Sequence, residues 1–458
     1  MTTSEGETIP HLSRRTTLAY SFGQLGSGVY SAFNNFTLPL YLKLFTSNDI
    51  LIGWLSSTRS FEQCLIQPLV GARSDRTWPR VGRRTPYFLT AMPIVAVLLI
   101  LNGFIPRDPV FLWLVALVIF SFSLIYNIGI DPYYALMIDV TPEPHRGTVN
   151  GIAQLIGFMG NVLVLVVAAL WWSAHPEWVF AFVAGSLLLG FGVVAAGVRE
   201  RRELIQRQAH AAGPRRSPPE MARALGNYVR ELWISHREAM KLLGVKILYE
   251  FGISAALPFL TLFIVNEIGV RGWPEMVRGI PGLADSGLAG LDAVGLSQLI
   301  AAFLLLSTAL AAIPSGLLGD RFGKKPVFAA GLLIVGIFAL LAAFATSVPQ
   351  LLFFLLFVGL GNGARIVLFQ PYLADLIPIE RVGEFTGLTA FAETGGVFLA
   401  IIVAGALIDL NAFNLHYRLV FVLTGVFLII GFVAVFFVKS RLEPVEPAIE
   451  FAPGGPLR

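Results

Sequence analysis

The chain has 458 residues, 55% of them hydrophobic and only 14% charged, with a mean hydropathy of +0.72. Those proportions exclude an ordinary water-soluble domain and require lipid around most of the chain. Its net charge of +4 would suit a nucleic-acid partner, but 25 of the 33 Lys and Arg fall in alternate loops and the tails, which is the charge pattern of membrane topology.

A membrane-crossing helix needs about 20 mostly apolar residues. Twelve such stretches are predicted, centred near Tyr30, Leu65, Ile94, Phe120, Val162, Gly185, Ala256, Leu305, Ile334, Leu356, Phe398 and Leu428. The fold class expected is therefore an all-α integral membrane protein with twelve transmembrane helices in two six-helix halves. Arg14 and Arg15 precede a long first span without a small-residue cleavage pattern, so that span is expected to be retained. The bias in Lys and Arg puts both termini in the cytosol of a cell whose inner membrane holds the protein.

In the first span Gln24, Ser27, Ser31, Asn34 and Asn35 form a polar stripe. In the second, Arg59, Glu62, Gln63 and Gln67 recur at three- and four-residue spacing, which sets them along one helical face. An ionisable group inside a bilayer is a functional candidate by default. Glu62 can take up and release a proton once per cycle with Arg59 as countercharge; a static Arg59–Glu62 pair that locks the helix is the other reading of this spacing. After the second span come Gly71, Asp75, Arg76, Gly82, Arg83 and Arg84, a short loop able to bridge helix ends by charge-assisted hydrogen bonds that break when the halves rock.

The fourth span carries Asn127, Asp131 and Tyr134 beside Pro132 and Tyr133, and it ends at Asp139. Asp131 is a second coupling candidate, or else a polar residue serving backbone groups freed by the proline. Asn150, Gln154 and Asn161 repeat the amide stripe in the fifth span. Amides both donate and accept, as sugar hydroxyls do, and rings such as Tyr30, Tyr126 and Tyr133 can stack on a pyranose. Interhelical hydrogen bonding accounts equally well for any one of these amides.

A hydrophilic stretch then separates six spans from six. Residues 1–198 are expected as the first half, 199–243 as a cytosolic linker, 244–440 as the second half and 441–458 as a tail. The second half holds Lys246 and Glu250 at i, i+4, Arg365 in the tenth span, and Glu393 in the eleventh, which either points at water in the central cavity or pairs across helices, with Arg365 as a candidate partner. Its loop after the eighth span, Gly316, Asp320, Arg321 and Gly323, and the end of its tenth span, Asp375, echo the loop at 71–84 and Asp139.

A G-x-x-x-D-R run present in both halves, followed by Gly82-Arg83-Arg84-Thr85-Pro86 in the first and Gly323-Lys324-Lys325-Pro326 in the second, resembles the loop signature of the major facilitator superfamily, whose solute site lies between the halves near mid-membrane. Gln67-Pro68-Leu69-Val70-Gly71, Ser74-Asp75-Arg76 and Ala135 to Asp139 are similar to the glycoside-pentoside-hexuronide:cation symporters, in particular the sucrose/proton branch. The resemblance implies alternating access and sugar symport driven by a cation, a proton in that branch. Departures limit it: the acidic residue of the sucrose branch falls at Ser123 and its arginine at Tyr134. The second-span aspartates of melibiose-type permeases fall at Gln63 and Gln67 and their first-span aspartate near Gly28, so a sodium site of that design is not expected.

Cys64, the single cysteine, lies inside a span, and all six His fall in loops or tails. No disulfide, metal site, imidazole relay or cofactor is expected. The absence of a nucleotide loop or a Ser/His/Asp setting leaves no enzyme reading. The partners expected are a small solute, a sugar or glycoside, with a coupling proton and the bilayer, around a monomer. On the same fold, proton-coupled efflux of amphipathic compounds and a non-pumping protein that handles lipids or pigments remain alternatives.

Overall fold

The computed structural model describes residues 14–58, 62, 70, 82–141, 146–200, 231–281, 283, 288–377 and 382–439. Among them every regular element is helical. The first half contains α1 (Arg14–Ala32), α2 (49–58), α3 (Thr85–Gly103), α4 (Leu112–Val140), α5 (Arg146–Trp171) and α6 (Pro176–Gly197). The second contains α7 (Arg237–Phe263), α8 (Ala293–Phe322), α9 (Lys324–Ala343), α10 (Val348–Ala374), α11 (Val382–Asp409) and α12 (Leu419–Val435).

Nine helices among the described residues are long and apolar enough to cross a membrane. The predicted span centres fall inside these elements, except that the stretch around Leu65 lies mostly outside the described residues. The seventh span starts at Arg237, inside the 199–243 segment expected as linker. Its extra turns carry charge that is satisfied locally: Lys241 donates to Glu238 at 2.7 Å, and Glu238 accepts the Lys439 N–H at 2.8 Å.

The repeat predicted from the loops is also a repeat of packing. In the first half α1 packs on α5 and α6, and α3 on α4 and α6; in the second α7 packs on α11 and α12, and α9 on α10 and α12. The first and seventh helices even break alike, α1 running into a π-helical turn at Phe33–Thr37 and α7 into one at Ile264–Ile268. A π turn disturbs the i→i−4 ladder and frees carbonyls. Here the Phe36 carbonyl accepts from the Thr261 hydroxyl at 2.9 Å and from the Gln298 amide at 3.4 Å, joining one half to the other.

Close approach of α1 to α5 depends on missing side chains. A Cβ on Gly28 would lie 2.1 Å from the Gly157 carbonyl oxygen, and one on Gly160 would lie 2.3 Å from that of Leu25. Contact between small residues of this kind is how helices gain packing in lipid, where burial from water contributes nothing. Gly28 is thus a contact between helices.

The face that bears the loops at 82–84 and 323–324 is called here the motif face, and the opposite one the far face. One apolar core runs through the first half and across into the far-face ends of α7, α8, α10, α11 and α12. A second core, around Tyr249, Phe328, Leu368 and Tyr372, belongs to the motif-face side of the second half alone. Among the described residues the halves are therefore fused at the far face and separately packed toward the motif face.

Candidate functional site

Hydrogen bonds between the halves gather at the far face. The Thr37 hydroxyl donates to Gln298 at 2.9 Å, and the Ser173 hydroxyl to Asp292. At the start of α2 the Asp409 carboxylate, from the end of α11, accepts the Asp49 and Ile50 N–H groups at 2.8 Å each. An anion at a helix N-terminus satisfies orphan donors and meets the positive end of the helix dipole. Asp49 in turn accepts from Tyr417 at 2.8 Å and pairs with Lys43 at 3.1 Å.

The motif face holds each half together on its own. Gly82, at φ +121°, turns the chain so that three successive N–H groups, of Arg83, Arg84 and Thr85, converge on the Glu200 carboxylate. Arg83 donates to both oxygens of Asp139 at 3.0 Å and Arg84 to one at 3.2 Å, all three side chains being buried. In the second half the equivalent bridge is Lys324 to Asp375 at 2.7 Å, with a second bond to the Pro371 carbonyl. Asp320 and Arg321, expected as parts of that bridge, are exposed, and the Arg321 guanidinium lies 5.3 Å from the Phe322 ring. Gly316 packs toward Val367 and Gly323 turns the loop at φ +94°. Gly71, Asp75 and Arg76 lie outside the described residues.

Between these faces are two polar clusters. In the first half Glu62 is 2% exposed; Asn127 donates a long 3.5 Å bond to its Oε2, and its Oε1 has no hydrogen-bond partner among the described residues. Ser123, one turn before Asn127, is the next polar neighbour of the same carboxyl. Asp131 is buried one turn beyond. The structure thus brings together Glu62, Asn127 and Ser123. Arg59, Gln63 and Gln67 lie outside the described residues.

The polar stripe divides by role. Asn34 is buried and donates to the Ser56 carbonyl at 3.0 Å, tying α1 to α2. Gln24 is buried against Gly157 of α5, Asn35 and Asn161 are half-buried, and Asn150 and Gln154 are exposed. The rings expected to stack on a solute are closed off. Tyr30 and Tyr126 stack on each other at 3.9 Å, and Tyr133 stacks on Tyr20 at 4.8 Å while its hydroxyl donates to the Tyr20 carbonyl. All three are buried. The cause is pairing between α1 and α4, which a single sequence does not display. Tyr134, 40% exposed and 3.3 Å from the Ser27 hydroxyl, is the accessible ring of this group, whereas the rings expected from sequence to stack on a solute are Tyr30, Tyr126 and Tyr133.

In the second half the isolated charges form one cluster. Glu250 Oε1 accepts from Arg365 at 2.8 Å and Lys246 at 3.1 Å, all three nearly inaccessible. The Arg365 guanidinium lies 4.5 Å from the centre of the Tyr249 ring and donates to Asn362 at 2.9 Å. Glu393, expected to reach Arg365, pairs instead with Lys246 at 3.1 Å, with 51% of its side chain accessible. Glu250 and Asn362 engage two of the five N–H donors of the Arg365 guanidinium. Beside Asn362 is a small apolar cavity of about 60 Å³ lined by Leu257, Leu304, Leu355 and Phe421.

No cluster of His, Cys, Asp or Glu fit to hold a metal occurs among the described residues. Comparison with known proteins gives a family and a fold. Residues 20–291 and 242–457 match the model of the Major Facilitator Superfamily. The chain is 40% identical over 80 residues to the niacin transporter NiaP of Acinetobacter baylyi, and 37% over 116 residues to the 4-hydroxybenzoate transporter PcaK of Pseudomonas putida. These segments cover 18% and 24% of this chain, and only 18% and 25% of the two relatives. A solved structure of a D-xylose-proton symporter superposes with a TM-score of 0.64 at 18% identity, over 93% of this chain and 98% of that one.

Proposed function

The chain belongs to the Major Facilitator Superfamily of membrane transporters, and from that premise we propose that it is a proton-coupled symporter of a sugar or glycoside working by alternating access. The observation that carries the coupling is Glu62: a carboxyl sealed inside the first half, with one long amide contact and no ion pair among the described residues. A proton neutralises it without needing a partner, and its release leaves a charge that no described residue compensates. Coupling follows if the two forms favour different arrangements of the halves.

The closed far face and the separately packed motif face support a resting state open toward the motif face. The positive-inside pattern supports a cytosolic motif face with both termini on that side. The halves rock as 1–198 and 244–440 about the linker, in a monomer set in the cell's inner membrane. For each step the capping of α2 by Asp409 breaks as the motif-face loops approach one another.

Exposed Gln154 and Asn150, half-buried Asn161 and the Tyr134–Ser27 pair supply amide and hydroxyl groups suited to a hydroxylated ring. Niacin and 4-hydroxybenzoate, for which two relatives are named, are rings of similar size that carry a carboxyl group. They support a ring-sized solute and leave its charge to be decided.

The experiment is uptake of labelled sugars into proteoliposomes with and without an inward proton gradient, for the native chain and Glu62→Gln. Gradient-driven accumulation that is lost in Glu62→Gln while solute exchange persists is the expected result. Accumulation that survives the substitution removes Glu62 from coupling, and a gradient effect on lipophilic cations alone replaces sugar symport by efflux.

A further inference from the structure

Lys246 is the one described ammonium held between two carboxylates inside the membrane, and the two differ in kind. Glu250, one helical turn away on α7, is sealed in and shared with Arg365 of α10 at 2.8 Å. Glu393 comes from α11, and half its side chain remains accessible. The walls around the ammonium are aromatic, Phe369 at 4.8 Å and Tyr249 at 5.5 Å from ring centre to Nζ.

With all four groups ionised, Lys246 and Arg365 balance Glu250 and Glu393. Only Glu393 can leave this arrangement at small cost, because a half-exposed ion pair contributes little and its carboxylate is already partly hydrated. Removing Glu250 instead strands two buried cations. When a proton neutralises Glu393, the cluster keeps one uncompensated positive charge at Lys246, in a dry aromatic setting. The charges facing Glu393 are Lys246 directly, with Glu250 and Arg365 behind it and the Tyr249 hydroxyl 3.5 Å from the ammonium.

We infer that Lys246 is an anion-binding site at which the carboxylate of a monocarboxylic solute replaces the carboxylate of Glu393. The exchange is balanced: the proton goes to a Glu393 oxygen, the ion pair between Glu393 and Lys246 opens, and the solute carboxylate takes its place on Nζ. Each anion bound brings one proton to Glu393, separate from the one on Glu62, and the cluster returns to zero net charge. This rests on the reading of the chain as a proton-coupled symporter and refines it: the ring carried bears a carboxylate, either a sugar acid or an aromatic acid. Lys246 would then sort solutes by charge, while the amides and Tyr134 contact the ring.

The test is equilibrium binding of labelled D-galacturonate and 4-hydroxybenzoate, with D-xylose as the neutral control. The detergent-purified native chain, Glu393→Gln, Lys246→Met and Lys246→Arg are compared at roughly pH 5.5 and 7.5, both above the ordinary carboxyl range, where binding that takes up a proton weakens as pH rises. For one of the two acids the native chain binds more tightly at the lower pH. Glu393→Gln binds that acid up to about fivefold more tightly at the higher pH, the size expected when a half-exposed competing carboxylate is removed, and loses the pH dependence. Lys246→Met loses binding, and Lys246→Arg, which keeps the charge, restores it. Folding of every variant is read from its melting curve, and where Lys246→Met unfolds, the Glu393→Gln comparison alone decides.

Galacturonate alone bound assigns a sugar acid, and 4-hydroxybenzoate alone an aromatic one. No saturable binding of either acid to native protein or Glu393→Gln overturns the site, as does unchanged affinity in Glu393→Gln. Gradient-driven uptake of D-xylose without uptake of either acid also overturns it and leaves sugar symport standing. Binding of an acid with the stated Glu393 and Lys246 effects, but without gradient-driven uptake, upholds the site and removes the symport reading.

Discussion

Replacing Glu250 by Gln removes the central anion of the cluster in the second half while keeping its shape. In the native chain Oε1 of Glu250 serves both Arg365 at 2.8 Å and Lys246 at 3.1 Å, and all three residues are buried. The substitution leaves two cations facing a single carboxylate, that of Glu393, which is half in solvent. Breaking a buried ion pair by removing one partner costs about 3–5 kcal/mol. A folding unit the size of one six-helix half shifts its melting temperature by about 2–4 °C per kcal/mol, so a fall of about 6–20 °C is expected. Gln can still accept one hydrogen bond from Arg365, which favours the lower part of that range. Glu393→Gln, by contrast, removes a half-exposed partner and is expected to cost at most about 1 kcal/mol.

The assay is thermal unfolding of detergent-purified protein followed by tryptophan fluorescence, on the two single variants and on Glu250→Gln combined with Arg365→Gln. The double variant removes one cation with the anion, so it is expected to recover part of the loss, a coupling measurable as departure from additivity. Equal shifts for Glu250→Gln and Glu393→Gln, or additive losses in the double variant, would refute the assignment of Glu250 as the shared anion of a buried cluster.

Four further outcomes follow from other contacts. Asp139→Asn leaves buried Arg83 and Arg84 without their carboxylate and is expected to lower stability by about 3–5 kcal/mol, read from the same melting curve. Asp409→Asn weakens the anchoring of the α2 N-terminus across the halves, and labelling of a cysteine placed at Thr37 on the closed far face should become faster; an unchanged rate removes Asp409 from the latch. Gly28→Ala forces a Cβ to 2.1 Å from the Gly157 carbonyl, and overpacking of about 1–3 kcal/mol, or more given contact with backbone, is expected in thermal unfolding. Tyr134→Phe should weaken solute uptake, whereas Tyr133→Phe should lower the melting temperature through loss of its bond to the Tyr20 carbonyl with uptake affinity kept.

The twelve apolar stretches, the one-sided placement of Lys and Arg and the duplicated loop motif are properties of the chain read in order, because span length is set by the bilayer and topology by charge. They made the all-helical fold and its internal repeat legible. The spacing of Lys246 and Glu250 likewise declared a contact within one helix, since i and i+4 meet whatever surrounds them. Contacts between helices obey no such spacing. Which of Lys246 and Arg365 meets Glu393, why Tyr30 and Tyr133 are closed to a solute while Tyr134 is open, and how Glu200 gathers three N–H groups of a loop more than a hundred residues away were decided by the packing of α7 on α11, α4 on α1 and α3 on α6. Asp409 shows the division most plainly: in sequence it is an acidic residue at the end of an apolar run, and only the meeting of the two halves at the far face gives it a helix N-terminus to hold.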